Sequence, residues 1–268
     1  MKTNSDEMHN QEMVLKKIRQ SSEVFDKLAN SYEVWVPESG WLAGRRNRDK
    51  NDSKRKNLTD WSILSFLLEI DNCHYPMADS YLQYGIDGVI RIAAETLETL
   101  KNNLQSELQE QKQLDITYMA SLLHVWKRLR QFVADHMVLA LECAKQETSD
   151  TKKKRYEKIA KICQNLTINK PNTFCEALQL FWFTYLFRSP FGAGCIGRLD
   201  QLLYPFYKHD CEMGIWDQKK KKKMLEEMFT RMNEINTGDT LRNLMLSGQD
   251  AKGNDQTNEI TYLILVAY

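Results

Sequence analysis

Apolar residues recur three and four positions apart along most of this chain, which is the spacing of one face of an α-helix. Only Leu241–Ser247 has the pattern of a β-strand. The sequence therefore predicts a mainly α protein, with strand confined to that region. The predicted helical segments are residues 12–29, 61–70 (a short helix or a buried segment), 79–104, 114–147, a helix after Ser149-Asp150, 173–188, 200–213, 217–238 and 258–268.

Capping residues mark several of these helix boundaries. Thr173 is followed three residues later by Glu176, the capping-box pattern in which two unpaired amide donors are satisfied reciprocally. The residues after this cap are apolar on nearly every side, so we expect that helix to be buried on several sides. The other predicted caps are Ser149-Asp150, Asp217 and residues 255–258, and Gly214 is predicted to close the helix that contains Pro205.

Two regions depart from the regular helical pattern. Residues 38–57 are highly charged, contain two glycines and are typical of a loop. At the other end, the last predicted helix is apolar through Tyr268, and a helix that short is marginal in water without tertiary partners. We therefore expect a truncated protein whose last helix and Phe181–Phe183 segment leave a large apolar surface exposed.

Composition and charge narrow the function classes. The 268 residues are 42% hydrophobic and carry a formal net charge of +1 at pH 7, which suits a globular core and argues against a nucleic-acid-binding surface. The run Lys219–Lys223 is interpreted as the solvated face of a helix. No segment resembles a signal peptide or is apolar enough to span a membrane, so the expected location is the cytoplasm.

Several motifs that suggest a ligand have simpler explanations. The six cysteines show no C-x-x-C spacing, and none clusters with two histidines, which indicates a reducing compartment and argues against zinc. Gly192–Gly197 fits G-x-G-x-x-G, but the predicted element before it is a helix, so a flexible connection is the preferred interpretation. Asp250–Asp255 resembles a calcium loop with its glycine misplaced, and a helix-capping turn is preferred. His74 lies in a non-helical junction and is equally well explained as a structural or a functional residue.

Three segments, in this order, resemble the pyruvate formate-lyase domain of the glycyl radical enzymes. They are Pro171–Gln179, Gly197–Asp210 and Leu246–Tyr262. The family includes formate acetyltransferases and the glycerol and choline lyases, and its fold is an α/β barrel of two antiparallel half-barrels wrapped in helices. The resemblance implies that residues 58–268 are a partial domain of this kind, the helical N-terminal layer with at most the first barrel strand or strands. Residues 1–57 are expected to form a helix and a charged loop outside the clear resemblance.

The resemblance also implies structural roles for individual residues. The family's Gly-Arg-x-Asp-Gln element, which enters a helix packed on the barrel, matches Gly197, Arg198, Asp200 and Gln201. For Arg198 and Asp200 a structural ion pair is the preferred interpretation, with Asp200 also favoured by the helix dipole. Thr173 and Glu176 are expected to serve as the structural cap of the first segment.

Two further residues are implied as substrate contacts. Dehydratase-like members present a small polar residue just before the Gly-Arg element and a histidine from the early helical region. Cys195 and His74 stand at the matching positions of this sequence. Cys195 lies upstream of the family's radical-forming cysteine and is not that residue.

The family's chemistry sets the functional expectation. In whole members, a radical stored on a C-terminal glycine passes to a mid-barrel cysteine, which abstracts hydrogen from the substrate. No Arg-Val-x-Gly loop occurs in this sequence. The resemblance therefore implies an N-terminal portion of a radical lyase or dehydratase, inactive alone and without a cofactor of its own.

Partners follow from the same resemblance. The expected partners are the remainder of the enzyme or a second copy of this chain, with a radical-SAM activase for the full-length family member, and neither nucleic acid nor membrane. The alternative is a helical interaction module without catalysis, derived from that family.

Overall fold

A computed structural model of the chain describes residues 4–45, 78–102, 109–187, 195–215, 217–235 and 243–268. Helices dominate these residues. They are α1 (Asn4–Ser31), α2 (Ala78–Asn102), α3 (Gln109–Gln146), α4 (Asp150–Ile168), α5 (Phe174–Leu186), α6 (Leu199–Glu212), α7 (Gln218–Ile235) and α8 (Glu259–Ala267); the strands are β1 (Cys195–Arg198) and β2 (Asn243–Met245).

The predicted succession of helices is confirmed wherever it falls on described residues. α1 begins earlier than the predicted residue 12, because the polar residues before it continue the helix. The predicted segment 61–70 lies outside the described residues, as does the loop 38–57 from residue 46 onward. The proposed division of the chain at residue 57 falls there too.

The prediction that strand is confined to Leu241–Ser247 is wrong. β2 lies in that region, but β1 pairs with it in parallel, with Gly197 opposite Leu244. β1 has only four residues, and its Gly197 has a φ of 77°. It therefore has neither the length nor the apolar alternation by which a strand is found in a sequence. The interpretation of Gly192–Gly197 as a flexible connection is consequently wrong for its last three residues.

The N-terminal helix caps predicted from the sequence are present in the structure, except that of α4. The hydroxyl of Thr173 accepts from the amide of Glu176, and Oε2 of Glu176 accepts from the amide of Thr173 at 3.1 Å, so the predicted capping box is present. α7 and α8 also begin after their predicted caps, Asp217 and Asn258. Ser149 occupies the predicted cap position of α4, but its side chain makes no capping hydrogen bond.

The hydrophobic core closes around α5. The long helix α3 packs against α1, α2 and α4, and α5 contacts α2, α4, α6 and α7. Trp182 and Phe183 are fully buried and Phe181 nearly so. The expectation that Phe181–Phe183 leaves an apolar surface exposed is therefore wrong, because this chain supplies the helices that cover it.

Gly85 is required by a close approach inside the fold. It interrupts α2 with a φ of 74°, in the left-handed region that favours glycine. A Cβ at this position would lie 2.7 Å from Cα of Lys170 and 2.8 Å from the carbonyl oxygen of Asn169. The glycine thus lets α2 pass directly against the segment that follows α4.

The run Lys219–Lys223 is not uniformly solvated, so that interpretation is wrong for its central residue. Lys221 is 1% exposed, and its Nζ lies 2.8 Å from Oδ2 of Asp210 in α6. The same Nζ donates to the carbonyl oxygen of Ile215 at 3.1 Å. Five consecutive residues of a helix cover more than one turn, so one of them must point towards the core.

Residues 33–45, here called the N-terminal loop, are irregular yet partly buried. The side-chain amide of Gln179 in α5 accepts from the amide of Ala43 at 2.8 Å and donates to its carbonyl oxygen at 3.0 Å. Oε2 of Glu227 in α7 accepts hydrogen bonds from two further amides of the loop, those of Trp41 and Leu42. Because unpaired buried amides are costly, these side chains are what allow the loop to pack on the helices.

His136 in α3 holds the start of the N-terminal loop and makes its anchoring pH-dependent. Its Nε2 accepts from the amide of Trp35 at 3.3 Å, and its Nδ1 donates to the carbonyl oxygen of Phe132 at 2.8 Å, so the ring is neutral. Burial lowers the pKa of His136 from 6.5 to about 4. Protonation therefore favours the unfolded chain. The free energy of unfolding is not reduced by this protonation above about pH 6.5. It falls by about 3 kcal/mol as the pH is lowered to about 4, because the unfolded chain binds the proton first.

We expect the urea midpoint, followed by circular dichroism, to fall more steeply between about pH 7 and about pH 4.5 in the wild type than in His136→Gln. Glutamine can accept from the same amide but does not titrate. His209→Gln replaces an exposed histidine near the end of α6 and should keep the wild-type dependence. Equal pH dependence in the wild type and His136→Gln would show that His136 does not carry it.

Candidate functional site

Asp200 joins three elements of the fold. It is fully buried in the first turn of α6. Its Oδ2 accepts from the amide of Ser247 at 2.6 Å and from the hydroxyl of Thr261 at 2.6 Å. Its Oδ1 accepts from the amide of Gln201 at 2.8 Å. This arrangement, here called the Asp200 junction, connects the start of α6 to the backbone just after β2 and to the first turn of α8.

Two further contacts strengthen the Asp200 junction. The hydroxyl of Thr261 also accepts from the amide of Asn258 at 3.1 Å, as part of the cap of α8. Nε2 of Gln201 donates to the carbonyl oxygen of Gln256 at 2.6 Å. The second and third segments of the family resemblance therefore bind each other directly.

The first and second segments are joined by Asp210. This carboxylate is 1% exposed, and both of its oxygens lie 3.4 Å from the amide nitrogen of Phe174 at the start of α5. A negative charge is favoured at a helix N-terminus, and Lys221 compensates it within the core. At the other end of the first segment, Gln179 holds the N-terminal loop. The three segments thus form one polar framework.

Arg198 forms no ion pair with Asp200 among the described residues, because the oxygens of Asp200 are taken by amide and hydroxyl donors. Nε and Nη2 of Arg198 are buried and have no hydrogen-bond partner in the described part of the chain. The guanidinium lies beside Gly248, where a Cβ would be 3.5 Å from Nη2. The predicted ion pair between Arg198 and Asp200 is therefore wrong. Asp200 joins the elements through hydrogen bonds from amides and a hydroxyl instead.

The structure places only one of the two expected substrate contacts. Cys195 is the first residue of β1, with its backbone opposite Asn243 of β2. His74 lies outside the described residues. The roles of Cys195 and His74 stay predictions.

Two cysteines of the core, Cys163 and Cys175, are held as thiols. Burial raises the pKa of the Cys163 thiol to about 12 and also raises that of Cys175, so neither is a thiolate at neutral pH. Within the described ranges, no group of three or more His, Cys, Asp or Glu is placed to hold a metal ion. No helix found there is long and apolar enough to cross a membrane. The cytoplasmic location stays a prediction.

A half-open cavity of about 270 Å³ lies between the N-terminal loop and α7. The guanidinium carbons of Arg45 and Arg231 lie 4.8 Å and 4.6 Å from the centre of the Trp35 ring. Each arginine is paired, Arg45 with Glu33 at 2.6 Å and Arg231 with Glu227 at 3.5 Å. The cavity is lined by none of the three family segments, so we do not assign it to the site.

Sequence reasoning missed Gln179, Asp210 and the N-terminal loop as parts of this framework. One signal was available, because Gln179 is a polar residue inside an apolar helix, and a buried amide needs hydrogen-bond partners. Asp210 carried no such signal, since charged residues on helices are usually exposed.

Comparison with known proteins decides the family. A family model described as pyruvate formate lyase-like matches residues 72–268. The match contains all three segments and the complete Asp200 junction. This chain belongs to the pyruvate formate lyase-like family. The family resemblance predicted from the sequence is thereby confirmed.

The relatives of this pyruvate formate lyase-like protein include radical enzymes named for small substrates. Trans-4-hydroxy-L-proline dehydratase from Clostridioides difficile is 32% identical over 143 residues, which are 47% of this chain and 18% of that protein. The 4-hydroxyphenylacetate decarboxylase glycyl radical subunit from Clostridium scatologenes is 29% identical over 217 residues, 74% of this chain and 23% of that one. The chain thus matches less than a quarter of the length of these relatives.

A solved structure shows the fold. Hydroxyproline dehydratase from C. difficile superposes with a TM-score of 0.73 at 18% identity, over 94% of this chain and 41% of that chain. Similarity at this identity bears on the fold alone. The fold class is therefore that of a mainly helical part of these enzymes, with two short strands in the described residues.

Proposed function

We propose that this chain is the helical, N-terminal portion of a glycyl radical lyase or dehydratase, which cleaves a C–C, C–O or C–N bond of a small substrate. The observation that carries the proposal is the Asp200 junction, in which the family segments bind one another through named side chains. The family match over residues 72–268 and the dehydratase and decarboxylase relatives support it.

In this proposal the residues of the chain line one side of the active site. The Asp200 junction fixes β2, α6 and α8 relative to one another, and β1, which leads into α6, carries Cys195. We propose that Cys195 contacts the substrate together with His74. The cysteine loop and the glycyl radical loop belong to the remainder of the enzyme, and a radical-SAM activase generates the radical there. The chain then holds no cofactor of its own.

A helical interaction module without catalysis is the second candidate. The observation that favours it is the closed core around α5, which gives this chain a hydrophobic interior without help from a barrel. The two functions differ in whether the chain takes part in a radical reaction when the remainder of the enzyme is present.

The isolated chain is expected to give no glycyl radical signal. After anaerobic treatment with a radical-SAM activating enzyme, electron paramagnetic resonance should show no doublet, and no lyase activity should be detected. The reason is that this sequence contains no Arg-Val-x-Gly loop. A doublet arising from this polypeptide alone would show that the radical-bearing residue lies within it.

A further inference from the structure

Three cationic side chains converge on the cavity between the N-terminal loop and α7. Arg45 belongs to the loop, whereas Lys223 and Arg231 belong to α7, and all three line the cavity. The guanidinium carbons of the two arginines lie 4.8 Å and 4.6 Å from the centre of the Trp35 ring. The ring therefore keeps two like charges close together, an arrangement that attracts an anion.

Both walls of the cavity are held in place by backbone contacts. The amide of Trp35 donates to Nε2 of His136 at 3.3 Å, and its carbonyl oxygen accepts from the amide of Gly44 at 2.8 Å. Nη1 of Arg231 donates to the carbonyl oxygens of Leu42 and Gly44, and the arginine side chain is only 11% exposed. A site whose groups are already ordered loses little conformational freedom when a ligand binds.

The two more exposed cations keep unused hydrogen-bond donors. Nε and Nη2 of Arg45 both donate to Oε2 of Glu33, whereas Nη1 makes no hydrogen bond within the described part of the chain. Nζ of Lys223 lies 3.9 Å from Oε2 of Glu226, which exceeds the about 2.7–2.9 Å of a charge-assisted hydrogen bond. The side chains of Arg45 and Lys223 are 36% and 56% exposed, so both can reach a ligand that enters from solvent.

Two of the acidic side chains that line the cavity are already occupied. Oε1 of Glu226 accepts from Nζ of Lys222 at 2.8 Å. Oε2 of Glu227 accepts from two amides of the N-terminal loop. These acceptors are committed to donors of this chain while cationic donors remain, so the lining favours a ligand that supplies acceptors.

The charges around Arg231 point in the same direction. Burial lowers the pKa of Arg231 to about 10, the charges of Glu227 and Glu234 oppose this shift, and the charge of Arg45 adds to it. Arg231 therefore stays charged at neutral pH, and Arg45 repels it. An anion bound between the two guanidinium groups would offset this repulsion.

We propose that this cavity binds a small organic molecule through an oxyanion, either a carboxylate or a phosphate group. The oxyanion accepts from Arg45, Lys223 and Arg231, and the planar forks of the arginines match its geometry. The cavity volume of about 270 Å³ is near the roughly 300 Å³ of the smallest ligand pockets, which leaves room for an organic body. None of the three family segments lines the cavity, so this site is separate from the Asp200 junction and independent of the proposed function.

Nuclear magnetic resonance titrations of the nitrogen-15-labelled chain test the site. The reporter is the indole N–H signal of Trp35, identified by its loss in Trp35→Phe. Glycerol 3-phosphate and lactate, which carry the two oxyanions, should shift this signal saturably, with a dissociation constant on the order of 1 mM or lower for the tighter one. Glycerol and ethanolamine, the neutral and cationic counterparts, should not shift it. The tighter anion identifies the oxyanion that the site prefers.

Substitutions on α7 give the sign of the charge effect. Lys223→Gln should raise the dissociation constant of the tighter anion about three- to fivefold, because one exposed ion pair is lost. Glu234→Gln should lower it, because an opposing charge is removed. Lys219→Gln is the matched control, since this exposed lysine of the same helix does not line the cavity, and it should bind like the wild type. All three positions are exposed, so the fold should be unchanged.

Four results would overturn the proposal. The first is the lack of a saturable shift of the Trp35 signal with either anion, and the second is equal affinity in Lys223→Gln and Lys219→Gln. The third is binding of ethanolamine in place of the anions, which would mean that the glutamates select the ligand. The fourth is inorganic phosphate binding as tightly as glycerol 3-phosphate and lactate, which would mean a site for the ion alone.

Discussion

Replacing Lys221 by methionine is expected to lower the free energy of unfolding by about 3–5 kcal/mol. The side chains of Lys221 and Asp210 are 2% and 1% exposed, so the change leaves the carboxylate buried without its cation. Methionine keeps most of the length and volume of the lysine stem, so the loss reports the unpaired charge rather than a cavity. Urea unfolding followed by far-ultraviolet circular dichroism measures it.

Two further variants define what that loss means. Lys219→Met, at an exposed position of α7, should change stability by less than about 0.5 kcal/mol. Combining Lys221→Met with Asp210→Asn removes both charges and should recover part of the loss. If Lys221→Met is as stable as Lys219→Met, the pair is not buried in solution and the solvated-face interpretation of the lysine run is correct.

The second large effect is expected for Asp200→Ala, which removes the acceptor at the centre of the Asp200 junction. Three hydrogen bonds to a charged acceptor are lost, from the amides of Gln201 and Ser247 and the hydroxyl of Thr261. Such bonds contribute about 1.5–3 kcal/mol each, and partial rehydration reduces the sum, so we expect a loss on the order of 4 kcal/mol.

Hydrogen exchange shows whether that loss is local to the Asp200 junction. The amides of Ser247 and α8 should exchange faster in Asp200→Ala, while those of α3 should change least. Asp255→Ala is the matched control, because its exposed carboxylate accepts from the amide and the hydroxyl of Thr257 at the surface and should matter little. Unchanged protection of α8 in Asp200→Ala would mean that Asp200 does not hold this helix.

The helices and most caps were predictable because their interactions lie within one turn of the chain. The Thr173–Glu176 box is such a case, formed between residues three apart. β1 was not predictable, since four residues carry no alternation and the partner strand follows two helices later. Lys221 was misassigned for the same reason, because its partner Asp210 lies on another helix.

The sequence identified residues of the candidate site, but it did not predict which distant residues they contact. The sequence pointed to Asp200 and Gln201, but folding alone brings Ser247 and Thr261 to them. The anchoring of the N-terminal loop is a stronger example, since Gln179 binds Ala43 across 136 positions of sequence. Periodicity reports which face of a helix is apolar, and it carries no information on which distant amide a buried side chain will meet.

The central claim is that this chain lines one side of the active site of a glycyl radical enzyme. Its most direct test uses this chain co-purified with the portion of C. difficile hydroxyproline dehydratase to which the chain has no similarity. The sample is treated with the activase of that enzyme and measured by anaerobic electron paramagnetic resonance. The account predicts a glycyl radical doublet from the complex and none from either polypeptide alone. A stable complex that gives no doublet, under conditions in which the intact dehydratase gives one, would contradict it.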